Sequence, residues 1–416
     1  MSRRGRRGVL SAPGGRAVSS SRDVRRGRRM VGLVALAAAV GVLAGCTGVA
    51  PPAPSGSPEP SAAPTPPTPT PPPDPLAGMT LEQRVGQLFM VGTPASGAAP
   101  VSLYAVRTLQ VGGVFLSGRS AAGSAATAAV VAAFTDLVAG GAAAGLPLFV
   151  ATDQEGGQVQ VLSGPGFDRI PSALVQGGWD AARLRAEAQR WGVELAMSGV
   201  NMNLAPVVDL VPSAAAAKQN PPIGGFDREL GTDPATIVRQ ADAFRGGMTA
   251  AGVIPVLKHF PGLGEVTANT DTSAGVVDAT TTASSASVGV FRSEIEAGAP
   301  VVMMSTAIYQ QLDPGQPAAF SSRIVTGLLR GELGFDGLVV SDDLSAARQV
   351  AAWSPADRAI LALRAGVDIV LVSTDPSIVG AMIAAVVAEA EADPTFAATV
   401  DAAARRVVES KAAWLG

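Results

Sequence analysis

The sequence predicts a single (β/α)8 barrel of the TIM type, and three observations carry that prediction. Downstream of residue 75 the chain alternates eight short β-branched or aliphatic runs with alanine-rich stretches of helical spacing. The unit is about 340 residues long, enough for each strand to be followed by a helix. Polar residues also gather at the C-terminal ends of the runs, where the loops after barrel strands build a site. An open doubly wound sheet is the structural rival. No glycine-rich phosphate loop follows the first strand, which weighs against it. With one Cys and one His among 416 residues, a disulfide framework and a Cys/His zinc site are both excluded. Any catalytic scheme must lean on carboxylates.

The charge divides unevenly along the chain. Residues 1–45 hold ten arginines against one acid, Asp23, leaving 21 basic and 33 acidic residues beyond them, a net of −12. An arginine tail alone could bind phosphates. Here it precedes 15 uncharged residues, 30–44, too few for the ~20 that span a bilayer but right for a signal-peptide core. That stretch ends in Leu43-Ala44-Gly45-Cys46, which resembles a bacterial lipobox. Residues 1–45 therefore read as a lipoprotein signal peptide and Cys46 as the lipidated N-terminus. The expected product is an exported acidic protein, anchored at the outer face of the cytoplasmic membrane, with no nucleic-acid partner. Residues 46–75 are rich in Pro, Ser and Thr, with 13 prolines from 51 to 75. Such a segment buries too little apolar surface to fold and favours extended polyproline II, so it reads as a disordered tether.

The domain then occupies residues 76–416. Residues 87–91, 113–116, 148–152, 202–208, 254–259, 301–305, 338–341 and 369–372 read as buried parallel strands bounded by Gly, Pro or Asp. Residues 181–197, 234–250, 288–297 and 355–365 read as helices between them. Asp153 and Glu155 follow the third run and Asp209 the fourth. Lys258-His259 end the fifth, Ser305 the sixth, and Asp342-Asp343 the seventh. N-terminal strand ends carry no comparable set, so an enzyme is favoured over a scaffold. Several carboxylates at a barrel mouth suit glycoside hydrolysis, which uses a pair of them. A divalent-metal site built from the same aspartates is the blander alternative.

Six segments sharpen this reading. They are Leu81-Glu82-Gln83-Arg84-Val85-Gly86-Gln87-Leu88, Asp153-Gln154-Glu155-Gly156-Gly157, Asn203-Leu204-Ala205-Pro206-Val207-Val208-Asp209, Arg228-Glu229-Leu230-Gly231-Thr232-Asp233-Pro234, Lys258-His259-Phe260-Pro261-Gly262 and the run from Gly334 to Leu344 containing Ser341-Asp342-Asp343. In this order they resemble glycoside hydrolase family 3, in particular its single-domain bacterial β-N-acetylhexosaminidases. The resemblance implies that Asp342 is the nucleophile forming a covalent glycosyl–enzyme intermediate. It further implies that Asp153, Arg228, Lys258 and His259 grip the sugar, and that no cofactor or metal is used. Asp343 fits better as a structural aspartate capping the next helix.

The chain also departs from that subgroup. Where the resemblance calls for an Asp-Ser-His acid/base loop, this chain has Asn269-Thr270-Asp271, so Asp271 stands at the histidine position and Asn269 at its partner's. Two arginines that usually follow the Asp-Gln-Glu-Gly-Gly motif are replaced by Gln158 and Val161. Asp271 is the expected acid/base, with a pKa raised as a loop closes over Asp342, and Glu265 is a weaker candidate. The function expected is a retaining exo-β-glycosidase, foremost a β-N-acetylhexosaminidase, monomeric and acting on oligosaccharides or muropeptides. A β-glucosidase and a catalytically impaired glycan-binding protein are the alternatives.

Overall fold

The computed structural model describes residues 74–416. The signal peptide assigned to residues 1–45, the lipidation site Cys46 and the tether up to residue 73 lie outside the described residues. The fold takes hold two residues before the boundary expected at residue 76. Asp74 accepts the Leu76 N–H at 3.0 Å and pairs with Arg405 at 2.8 Å.

Eight parallel strands form the central sheet: β1 (Phe89–Pro94), β2 (Gly113–Ser117), β3 (Phe149–Thr152), β4 (Met202–Asn203), β5 (Ile254–Phe260), β6 (Val301–Met304), β7 (Leu338–Ser341) and β8 (Val370–Val372). They pair in the order β7-β6-β5-β4-β3-β2-β1-β8. Val340 opposite Ile369 joins the two ends, where the Ser341 N–H donates to Ile369 O at 2.9 Å. The sheet is thereby rolled into the expected barrel. Every residue of β3 to β8 is buried. That is why these strands read as continuous apolar runs and not as alternating ones.

Helices form where local signals coincide with an apolar stripe. Asp180 caps Ala181–Met197, whose buried Leu184, Ala188, Trp191 and Leu195 recur at helical spacing. Asp233 with Pro234 opens Pro234–Ala250, and Ser354 with Pro355 opens Pro355–Ala365. The first two pack tightly because Gly247 has no side chain. A Cβ there would lie 2.5 Å from Arg185 O. Among the described residues no helix is long and apolar enough to cross a membrane.

One difference sits at the start of the first strand, where Gln87 caps the helix Leu81–Gly86 and β1 runs Phe89–Pro94 in place of the expected 87–91; the others sit above the mouth. The fourth strand, expected at 202–208, stops at Asn203 and resumes only as a bridge between Val207 and Lys258. Pro206, inside the expected run, has no N–H to continue a ladder. A short hairpin, Gln154–Gly156 with Val159–Gln160, follows β3. It turns at Gly156 (φ 108°), where a Cβ would meet Pro171 O at 2.1 Å. A small sheet of Val277–Asp278, Ile308–Tyr309 and Asp313–Pro317 packs beside the loop that follows β5.

Candidate active site

At the C-terminal ends of the strands the loops enclose a cavity of about 380 Å3. Asp153, Arg228, Lys258, His259, Asp271 and Asp342 all line it. All six barrel residues predicted for the site thus share one space, though they come from loops separated by up to 189 positions in sequence.

One wall is a dense charge network. Lys258, at the end of β5 and 3% exposed, donates from Nζ to Asp153 Oδ1 and to Glu155 Oε1, both at 2.6 Å. Arg228 closes a fork on the same glutamate, with Nε to Oε2 at 2.8 Å and Nη2 to Oε1 at 2.7 Å. Burial alone would push the Glu155 carboxyl up, but Arg228 and Lys258 outweigh it and hold it at about 2. The two acids in turn keep Lys258 protonated against its own burial. The sequence flagged Glu155 only as a polar residue after β3. Its place at the hub depends on the hairpin turning it inward against residues 73 and 103 positions away.

The histidine is equally fixed. Fully buried Asp209 takes the His259 ring through Nδ1 at 2.7 Å and accepts the backbone N–H groups of His259 and Leu263 on Oδ1. That leaves Nε2 as the ring nitrogen near Arg228, 3.5 Å from Nη2. Asp209 is therefore a positioning residue. Its signal in the sequence was its place after the fourth strand.

Asp271 and Asp342 complete the lining. Asp342 follows Ser341 of β7, and its Oδ1 accepts the Asp343 N–H at 2.8 Å. Asp271 lies open to solvent at the mouth. The protein mass around it and the charge of Asp342 nevertheless push its carboxyl up to about 6. Asn269 does not orient that carboxyl. Its Oδ1 accepts the Asp271 N–H at 2.8 Å and so shapes the turn. Glu265 lies in a separate cleft with Thr280 and Ser285, away from Asp342.

Asp343 corrects an expectation. It caps no helix: its carboxylate accepts Ser345 N–H, Ser345 Oγ–H and Ala346 N–H after β7 and the Ser373 N–H after β8. It locks two neighbouring loops instead. Gln158 and Val161 line the cavity where the two arginines are missing. A guanidinium still reaches that wall, because Arg119 after β2 donates to the carbonyls of Gln158 and Gln160. Among the described residues no group of three or more His, Cys, Asp or Glu could hold a metal ion.

The set can bind a polar, hydroxyl-rich ring through fixed donors and acceptors while presenting it to two carboxyl groups on loops after β5 and β7. Known proteins share this fold and are similar in sequence. Residues 80–410 match the glycosyl hydrolase family 3 N terminal domain. A beta-hexosaminidase of Xanthomonas oryzae pv. oryzae is 37% identical over 239 residues, which is 56% of this chain and 69% of that one. A beta-hexosaminidase of Vibrio cholerae is 35% identical over 264 residues, 63% of this chain and 75% of its own. The crystal structure of a beta-N-acetylhexosaminidase from Beutenbergia cavernae superposes with a TM-score of 0.80 at 63% identity, covering 81% of this chain and 99% of that one. The chain described here is a glycoside hydrolase and belongs to glycosyl hydrolase family 3.

Proposed function

We propose that the protein is a retaining β-N-acetylhexosaminidase that removes terminal N-acetylhexosamine residues. The observation that carries the mechanism is the pairing of Asp342 with a second carboxyl, Asp271, whose pKa is raised to about 6 in the same cavity. Asp153, Glu155 and Asp209 are meanwhile occupied by Lys258, Arg228 and His259. Asp153, Arg228, Lys258 and His259 hold the sugar. Asp342 attacks the anomeric carbon as the bond to the leaving oxygen breaks, and Asp271 gives that oxygen its proton. Asp271 then takes a proton from water, whose oxygen displaces Asp342 from the anomeric carbon.

Aryl and alkyl β-N-acetylglucosaminides test the assignment. Asp342→Asn should lose roughly 10⁴-fold or more in kcat, and full activity in that variant would sink the mechanism. Asp271→Asn should lose about 10²–10⁴-fold in kcat/KM on ordinary leaving groups and little on activated ones, where only the second step slows. In the wild type kcat/KM should fall as pH rises through about 6, as Asp271 loses its proton, and Asp271→Asn should lack that limb. Faster turnover of β-glucosides would reassign the sugar.

We further propose that the enzyme is exported and lipid-anchored, facing cell-wall glycans such as muropeptides. The basic leader, the 15-residue uncharged core and Leu43-Ala44-Gly45-Cys46 support this. Cys46→Ser should shift the enzyme from the membrane fraction to the soluble fraction, and unchanged fractionation would refute the anchor.

A further inference from the structure

Asp271 and Asp342 sit on different loops, so their separation depends on what joins those loops. The join is the turn Arg348–Val350, which follows the Asp342 loop. Arg348 N–H donates to Asp271 O at 3.1 Å, and Gln349 N–H donates to Thr270 O at 3.0 Å. The Gln349 side chain then grips a single further residue of the Asp271 loop. Its Oε1 accepts the Val276 N–H at 2.8 Å, and its Nε2 donates to Val276 O at 3.1 Å. Gln349 and Val276 are each 3% exposed, so these bonds form out of water.

The stem of the loop is held elsewhere. Asn220 donates to the carbonyls of Leu263 and Val266, and Tyr309 donates to Gly262 O. Those contacts end at Val266, and at the far end Val276 O also accepts the Ile308 N–H at 3.0 Å. The stretch from Thr270 to Val276, which carries Asp271, meets the nucleophile loop through the 348–350 turn. Asn269 adds only a contact within the Asp271 turn.

We propose that Gln349 is a positioning residue for the acid/base, stapling the Asp271 loop to the Asp342 loop. The proposal rests on the assignment of Asp271 as the proton donor. A carboxamide suits the task for a chemical reason. It sets an acceptor beside a donor in one plane, which matches the N–H and C=O of one backbone residue. It does so without adding a charge beside the Asp271–Asp342 pair. A carboxylate there would lack the donor, and an ammonium would lack the acceptor. The staple also explains why Asp271 and Asp342 already line one cavity, where the sequence led us to expect a loop that must close. Asp343 extends the lock by tying the nucleophile loop to the loop after β8.

The test is Gln349→Met, which keeps side-chain length and removes both bonds. Misplacing a catalytic group by about an ångström can cost up to 10²-fold. For a β-N-acetylglucosaminide with an alkyl or sugar leaving group, kcat/KM should therefore fall about 10–100-fold. For an activated dinitrophenyl glycoside, whose leaving oxygen needs no proton, it should stay within about 2-fold of wild type. The inhibition constant for N-acetylglucosamine should not move. An equal loss on both substrates, or no loss on either, would overturn the staple. If the methionine variant does not fold, Gln349→Leu replaces it. Leucine also removes both bonds and adds no charge beside Asp271 and Asp342, so a loss confined to the ordinary leaving group is again expected, and an equal loss on both substrates again overturns the proposal. The two readings fail differently. A wild-type enzyme inert on both substrates refutes the hydrolase mechanism. A wild-type enzyme whose Asp271→Asn variant shows no leaving-group discrimination refutes the acid/base role, and the staple falls with it.

Discussion

The two ends of this barrel bury charge around one carboxylate each, and they do it to different effect. At the floor, Asp368 is fully buried between Arg330 at 2.6 Å and Arg406 at 2.7 Å, and also accepts the Val339 N–H. Its two arginines run outward towards water, with side chains 16% and 31% exposed. The floor set turns its charges on its own members and on the carbonyls of Phe335, Gly337 and Gly366, and none of its members lines the cavity at the mouth. At the mouth, Glu155 sits between Arg228 and Lys258 in the same way, but the cluster continues into Asp153, His259, Asp271 and Asp342, which face an open cavity. One end spends its charges on itself, while the other leaves donors and acceptors for a ligand. A buried ion pair is thus no mark of function by itself. The mark is polar capacity left over on the cavity side.

Removing the hub of the mouth is the most severe test of that contrast. Glu155→Gln strands two buried cations with only Asp153 to share, and breaking such a set costs about 3–5 kcal/mol. The pH dependence should follow. With its carboxyl held at about 2, below the ordinary 4.5, Glu155 adds stability that is fully present above pH 4.5 and is lost as pH falls towards 2. Acid unfolding followed by circular dichroism should lose that step in the variant. Equal acid profiles for the two proteins would show that the hub does not bear the load assigned to it.

How much of this was legible in sequence follows from the range of the forces involved. Helices 181–197, 234–250 and 355–365 were readable end to end because Asp180, Asp233-Pro234 and Ser354-Pro355 mark their starts within one turn. The strands were readable as apolar runs, and β4 was over-extended because a run of hydrophobic residues does not reveal where Pro206 ends the pairing. Asp153, Asp271 and Asp342 were readable from motif and strand end. Asn269 was legible only as the residue standing where the dyad's aspartate would be, because its backbone role depends on the turn itself. Gln349 was invisible: its partner, Val276, lies 73 positions away, and a lone glutamine in a loop carries no pattern. The small sheet near the mouth was missed for a similar reason, since strands of two to five residues have no measurable period.

The gentlest test pairs the same substitution at both ends. Lys258→Met removes a cation shared by Asp153 and Glu155, so kcat/KM should fall roughly 10²-fold or more and the thermal midpoint should drop. Lys411→Met, in the helix that closes the floor, should do the reverse. Lys411 is 1% exposed, has no acid partner among the described residues, and donates from Nζ to Gln87 Oε1 at 2.6 Å. Gln87 is held as the acceptor because its own Nε2 donates to Gln110 O and Ala143 O. Burial pulls the Lys411 pKa down from 10.5 to about 7. For a base depressed in this way the sign is fixed. Above pH 10.5 the folded and unfolded chains are both neutral at this site and nothing is lost. As pH falls from 10.5 to about 7 the unfolded chain gains a proton that the folded chain refuses, so stability declines. Methionine removes that loss, against the smaller cost of leaving Gln87 Oε1 without its donor. Thermal melts should therefore show Lys411→Met above wild type at pH 7 and the gap narrowing towards pH 10, with kcat/KM unchanged. A constant gap would mean that packing, and not the refused proton, sets the difference. A fall in activity would mean that the floor and the mouth are coupled through the barrel, against the division drawn here.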